Sequence, residues 1–268
     1  MDQRNLFLAA GSCLDSPGVD EKLALTDVTA AAFAAGALSF DAVAAPKPIG
    51  IPGRPQRPHL VSPRQLPQRG LGSPEGRAAL VHAVAHIEFN AVNLAWDAVY
   101  RFRDMPQEYY RDWVAVAVDE AHHFRLLRSR LAELGCAYGD FDAHDGLWEM
   151  AVKTATSCLE RMALVPRVLE ARGLDVTPTM IVRLRKVGDT ETAEILELIL
   201  REEVAHVAAG SRWFAWCCER AEVDPEPTFS RLVALHAGTL KGPFNESARR
   251  AAGFSASELR SLNDTFAA

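Results

Sequence analysis

The chain has 268 residues, of which 49% are hydrophobic and 24% charged, with a formal net charge of −6. That balance describes an ordinary globular chain and excludes a wholly disordered, collagenous or disulfide-stapled one. The acidic charge disfavours binding to a phosphate backbone except through a local basic patch.

Five cysteines, odd in number and without CxxC spacing, read as reduced thiols, so the expected location is the cytoplasm. Leu6 to Cys13 faintly resembles a lipoprotein leader, but the apolar stretch is too short and Asp2 stands where positive charge belongs. No apolar run reaches the ~18 residues of a membrane span.

In chain order, residues 1–76 are expected to form an N-terminal extension. Asp20-Glu21-Lys22 opens an Ala-rich helix that Gly36 stops. Eight of the fifteen prolines then fall between Pro46 and Pro74. Without N–H groups they exclude helix and central strand. Ile49, Ile51, Leu60, Val61, Leu66 and Leu71 give this zone apolar anchors, so it reads as an extended belt lying across the rest of the protein. The competing reading is a ligand for a proline-binding module.

Residues 77–221 read as four long helices. The first spans Glu75–Arg103. The second spans Pro106–Leu134, with Gly135 behind it. The third spans Asp145–Arg172, kinked at Pro166 and stopped by Gly173. A short helix follows Pro178 and ends near Gly188, and a fourth, capped by Asp189, runs to Ala221. Residues 222–268 form a helical tail with a capping box at Ser255-Ala256-Ser257-Glu258. The fold class is therefore all-α: a four-helix bundle with extensions at both ends.

The apolar stripe of helix two runs Trp113, Val116, Ala117, Phe124, Leu127, Leu131 and Leu134, and Glu120 and His123 interrupt it. Helix four repeats the pattern, its stripe interrupted by Glu203 and His206. Helix one places Glu88 among Val81, Val84, Ala85, Val92, Ala95 and Val99. Helix three offers Glu160, with Glu170 nearer its end as the alternative. Buried carboxylates require compensation. At i and i+3 two side chains stand about 5–6 Å apart on one face and can reach one metal centre together. Four carboxylates and two imidazoles suit two iron ions, an iron–manganese pair or two manganese ions. Random placement of 19 Glu and 8 His predicts about 0.6 Glu-x-x-His pairs, so two are weak evidence alone. Their mid-helix positions inside apolar stripes make the signal stronger. The bland alternative is a set of buried Glu–His and Glu–Arg pairs without metal. Asp119 and His122 face away from the stripe, and His82 and His86 do not share the face of Glu88.

Several segments carry a resemblance to a known family. They are Pro-Gly-Arg-Pro at 52–55, Gly-Leu-Gly-Ser-Pro-Glu-Gly-Arg at 70–77, His-Ile-Glu at 86–88, Asp-Glu-Ala-His-His-Phe at 119–124 and Cys-Leu-Glu-Arg-Met-Ala at 158–163. Further on come Glu-Ala-Arg-Gly-Leu-Asp-Val-Thr-Pro at 170–178, Arg-Glu-Glu-Val-Ala-His-Val at 201–207 and Lys-Gly-Pro-Phe-Asn at 241–245. Over roughly residues 15–265 the chain resembles the ferritin-like superfamily and, within it, the uncharacterised family DUF455. The resemblance implies a dimetal bundle and no settled reaction. The leading expectation is an oxidoreductase that activates O₂ or peroxide and acts on a small molecule. Metal storage, a metal-free scaffold and, by superfamily analogy, hydroxylation of a modified tRNA base are the alternatives. A homodimer is compatible with the sequence, which does not fix the oligomeric state.

Overall fold

A computed structural model describes residues 4–41 and 44–267, the side chains from 264 onward aside. Among the described residues the secondary structure is helical, with two isolated bridges, Asn5 to Ser39 and Leu60 to Ala143. No described helix is long and apolar enough to cross a membrane. The chain divides into two compact units, residues 1–152 and 153–268.

The first unit is built around α3 (Pro74–Arg101) and α4 (Gln107–Glu133). Ser73 caps α3 and Pro74 opens it, where a missing N–H is harmless. Pro106 precedes α4, and Gly135 takes the positive φ (+76°) that ends it. α1 (Leu6–Asp15) packs on α3, and α2 (Val19–Ala34) on α4. Lys22 of α2 is fully buried, and its Nζ donates to the carbonyls of Cys13 and Leu14 at 2.5 and 3.1 Å. The ammonium thus satisfies the open C-terminal end of α1, and burial pulls its pKa down to about 8. Trp96 on α3, also fully buried, donates its indole N–H to Thr26 Oγ1 at 2.9 Å.

The proline-rich segment lies extended within this unit, pinned by main-chain bonds. Gly53 N donates to Leu14 O at 2.7 Å, and Val61 N to Ala143 O at 2.8 Å. The indole of Trp148 on α5 (Gly146–Lys153) donates to Gly50 O at 3.0 Å. A Cβ on Gly53 would stand 2.3 Å from Asp15 O, so only glycine permits this approach.

The second unit packs a compound helix along α8 (Thr190–Arg220). That helix comprises α6 (Cys158–Leu164), a π turn (Val165–Glu170) and α7 (Ala171–Lys186). The expected single helix over 145–172 is thus interrupted. It stops after Lys153 and restarts at Ser157, whose Oγ accepts the Glu160 N–H at 3.2 Å. It also runs through Gly173 and Pro178, between which the sequence predicts a break. Pro178 cannot bond the carbonyl of Leu174, and Asn245 Nδ2 donates to that oxygen instead, at 3.1 Å. A partner about seventy residues away thereby removes the objection to proline in mid-helix.

α9 (Pro225–His236), α10 (Glu246–Ala251) and α11 (Ala256–Ala267) complete the unit. The capping box forms: Ser255 Oγ accepts from Glu258 N at 3.0 Å, and Glu258 Oε2 from Ser255 N at 2.8 Å. Glu258 Oε1 also accepts from the buried Arg167 at 2.6 Å. The Arg167 guanidinium lies 4.3–4.9 Å from the ring centres of Phe214, Phe229 and Phe254.

Candidate metal centre

α3 and α4 run antiparallel, and the rings of Phe89 and Phe124 pack at a tilt near their middle, centres 5.5 Å apart. That register brings Glu88 to the level of His123. His123 Nδ1 lies 3.1 Å from Glu88 Oε2 and 3.5 Å from Glu120 Oε2. Ligand atoms of Glu88, Glu120 and His123 all fall within 4.8 Å of one another. Glu120 and His123 are 0% exposed and Glu88 4%.

Two carboxylates and one imidazole in so dry a place form an electrostatically demanding group. Burial pushes the Glu88 carboxyl up to about 8, and the neighbouring Glu120 charge adds to it against the pull of His123. Burial pulls the His123 imidazole down, yet hydrogen bonds and charge from Glu120 and Glu88 outweigh it and lift it to about 11. Both shifts say that the cluster seeks positive charge, which protons or a cation supply.

The second unit holds the other Glu-x-x-His pair. His206, 2% exposed, places Nδ1 3.4 Å from Glu203 Oε1 on α8. Three contacts set the register of the compound helix on α8. The Cys217 thiol hydrogen-bonds with Cys158. Pro166 seats on Gly210. Arg167 Nε donates to Ser211 Oγ at 3.2 Å. The residues of one helix rise as those of the other fall. Continuing that register puts Glu170 level with His206, one turn from Glu203, and Glu160 level with Trp216. Ten residues separate His206 from Trp216, roughly 15 Å along the axis at about 1.5 Å per residue. Glu160 therefore stands well away from the Glu203–His206 pair. Glu170 ends the π turn, where its Oε2 is buried.

Comparison with known proteins gives one family. The model of the family described as "Protein of unknown function (DUF455)" matches residues 15–260. The chain belongs to this family. An uncharacterized protein of Haemophilus influenzae (strain ATCC 51907 / DSM 11121 / KW20 / Rd) is 45% identical over 213 residues, covering 76% of this chain and 74% of the relative. No solved structure matches.

Within this DUF455 chain, the structure brings together Glu88, Glu120 and His123 in one unit and Glu203 and His206 in the other, and leaves Glu160 apart. His122 is exposed and Asp119 partly so, as their side of the stripe requires. Residue spacing alone gives Glu170 second place on helix three, because it implies a helix end at Gly173. It also passes over Asn93, fully buried on α3. The signal for Asn93 is its place in the row His82, His86, Asn90, Asn93, spaced by three and four along a helix whose other face is already apolar.

Proposed function

We propose that the chain is a ferritin-like dimetal carboxylate protein whose centre is held by Glu88, Glu120, His123, Glu170, Glu203 and His206. The observation that carries this reading is the convergence of Glu88, Glu120 and His123 within 4.8 Å in a site closed to solvent. Support comes from the recurrence of the same i, i+3 pair in Glu203 and His206. Glu170 takes the helix-three position because the helix register sets it level with His206. The donor set is oxygen and imidazole nitrogen without thiolate, which suits iron or manganese. Four carboxylates balance the formal charge of two divalent ions.

When bound, such a pair of ions supplies redox and Lewis-acid chemistry toward O₂ or peroxide. The protein's own residues do the rest. Glu120 and Glu203 would each hold an ion together with the histidine one turn further on, His123 and His206. The surrounding Ala85, Val92, Ala117 and Ala121 keep bulk water out. An oxidoreductase acting on a small molecule is the function this centre supports best.

The test is metal content with activity. Protein expressed with iron or manganese and purified without chelator carries two ions per chain, and consumes O₂ with a reductant and an oxidisable substrate. Glu120→Ala lowers the metal content to one ion or none and abolishes O₂ consumption. A metal-free protein that refuses both ions on reconstitution contradicts the proposal.

A further inference from the structure

Three of the five cysteines belong to the second unit. Cys158 is the first residue of α6, and Cys217 and Cys218 lie in the last turn of α8. All three are free thiols. In sequence Cys158 and Cys217 are fifty-nine residues apart. The antiparallel packing of α6 on α8 closes that distance, and their side chains meet in a hydrogen bond.

The contact does not stand alone. Pro166 seats on Gly210. Eight residues separate Cys158 from Pro166, and seven separate Gly210 from Cys217, so the backbone register brings the two cysteines to one level. Cys217 lies eleven residues beyond His206, roughly 16 Å along α8. The pair is therefore separate from the proposed metal ligands and requires no metal.

The three thiols sit in different surroundings. Cys218 is fully buried, and burial pushes its pKa up to about 11. Cys217 goes the other way. The hydrogen bond from Cys158 holds its pKa below the ordinary thiol value; burial opposes this, and the Arg220 guanidinium adds to it. Cys158 is half-buried and Cys217 is 8% exposed, so the pair has an edge open to a molecule the size of water. Two small apolar side chains would fill the same space. A pair of thiols in contact adds the capacity to lose two electrons.

We propose that Cys158 and Cys217 form a redox modification site, oxidised by a hydroperoxide to a disulfide that staples α6 to α8 and reduced again by a dithiol. The Cys217 thiol gives its proton to solvent, and the thiolate attacks one oxygen of hydrogen peroxide. The O–O bond breaks, hydroxide leaves and takes up a proton, and Cys217 carries a sulfenic acid. The Cys158 sulfur then attacks the Cys217 sulfur. The S–O bond breaks, the S–S bond forms, and the Cys158 proton leaves with the hydroxyl as water. Two thiols lose two electrons, and one peroxide becomes two waters.

The experiment treats reduced full-length protein with a few equivalents of hydrogen peroxide, then catalase, then an alkylating reagent, and maps the peptides by mass spectrometry. The free thiols are expected to fall from five to three, with one pair of peptides joined through Cys158 and Cys217. Dithiothreitol should restore all five. Tm should rise by roughly 5 °C or more in the oxidised form, because the bond closes a long loop of the unfolded chain. Cys218→Ser is expected to form the same bond. In Cys158→Ser, dimedone should label Cys217 as the stranded sulfenic acid. The mapping of wild-type protein needs no variant to fold. Three results overturn the proposal: five thiols after peroxide, a bond that joins Cys217 to Cys218 or links two chains, or oxidation of Cys217 to sulfinic or sulfonic acid without the bond.

Discussion

Pro166 occupies the space that a side chain at position 210 would need: a Cβ on Gly210 would stand 2.3 Å from Pro166 Cβ and Cγ. This contact locks the π turn onto α8 and sets which acid of the compound helix comes level with His206. Gly210→Ala is expected to destabilise the protein by about 1–3 kcal/mol through overpacking. Urea unfolding checks it. Metal content should fall with it, because the register that presents Glu170 is disturbed. A variant as stable as wild type would mean that Pro166 yields easily.

The same register separates Glu170 from Glu160. Glu170→Ala is expected to remove at least one of two bound ions, and Glu160→Ala none, read by native mass spectrometry after reconstitution with iron or manganese. The reverse pattern would restore Glu160 to the ligand set.

Asn245 takes over the Leu174 carbonyl that Pro178 cannot bond, and its Oδ1 accepts from Ala248 N at 3.2 Å to cap α10. Asn245→Ala loses both contacts and should cost about 1–3 kcal/mol. In a Pro178→Ala background the loss should be smaller, since an N–H at 178 can bond Leu174 again. A double-mutant cycle in urea measures the difference, and strict additivity would refute the coupling.

His82 accepts from Gly139 N through Nε2, which demands an unprotonated nitrogen. Burial lowers its pKa to about 4, from an ordinary value of 6.5. The unfolded chain therefore takes up this proton first as pH falls. The stabilising contribution is complete above pH 6.5 and is lost between about 6.5 and 4. Wild type should lose stability across that window more steeply than His82→Asn. Equal slopes in urea unfolding between neutral and mildly acidic pH would exclude the role.

Much of this is legible in residue spacing. Pro106 and Gly135 bound α4, and a carboxylate and an imidazole interrupting an apolar stripe mark Glu120 and His123 as buried partners. The failures come from interactions that local pattern does not carry. Gly173 looks like a stop and Pro178 like a fresh start because the group that satisfies Leu174 lies at Asn245. The π turn inserts a residue and rotates the rest of the helix, so counting in steps of 3.6 from Glu160 does not find Glu170. His82 and His86 read as surface or pocket residues because nothing in α3 itself shows that they are buried.

The central claim is that six donors hold two ions, and anomalous X-ray scattering measures it most directly. A crystal of protein supplied with iron and manganese, recorded at both absorption edges, should show two peaks within bonding distance of Glu88, Glu120, His123, Glu170, Glu203 and His206. Absence of any peak, with His123 still hydrogen-bonded to Glu88 and Glu120, would contradict the account.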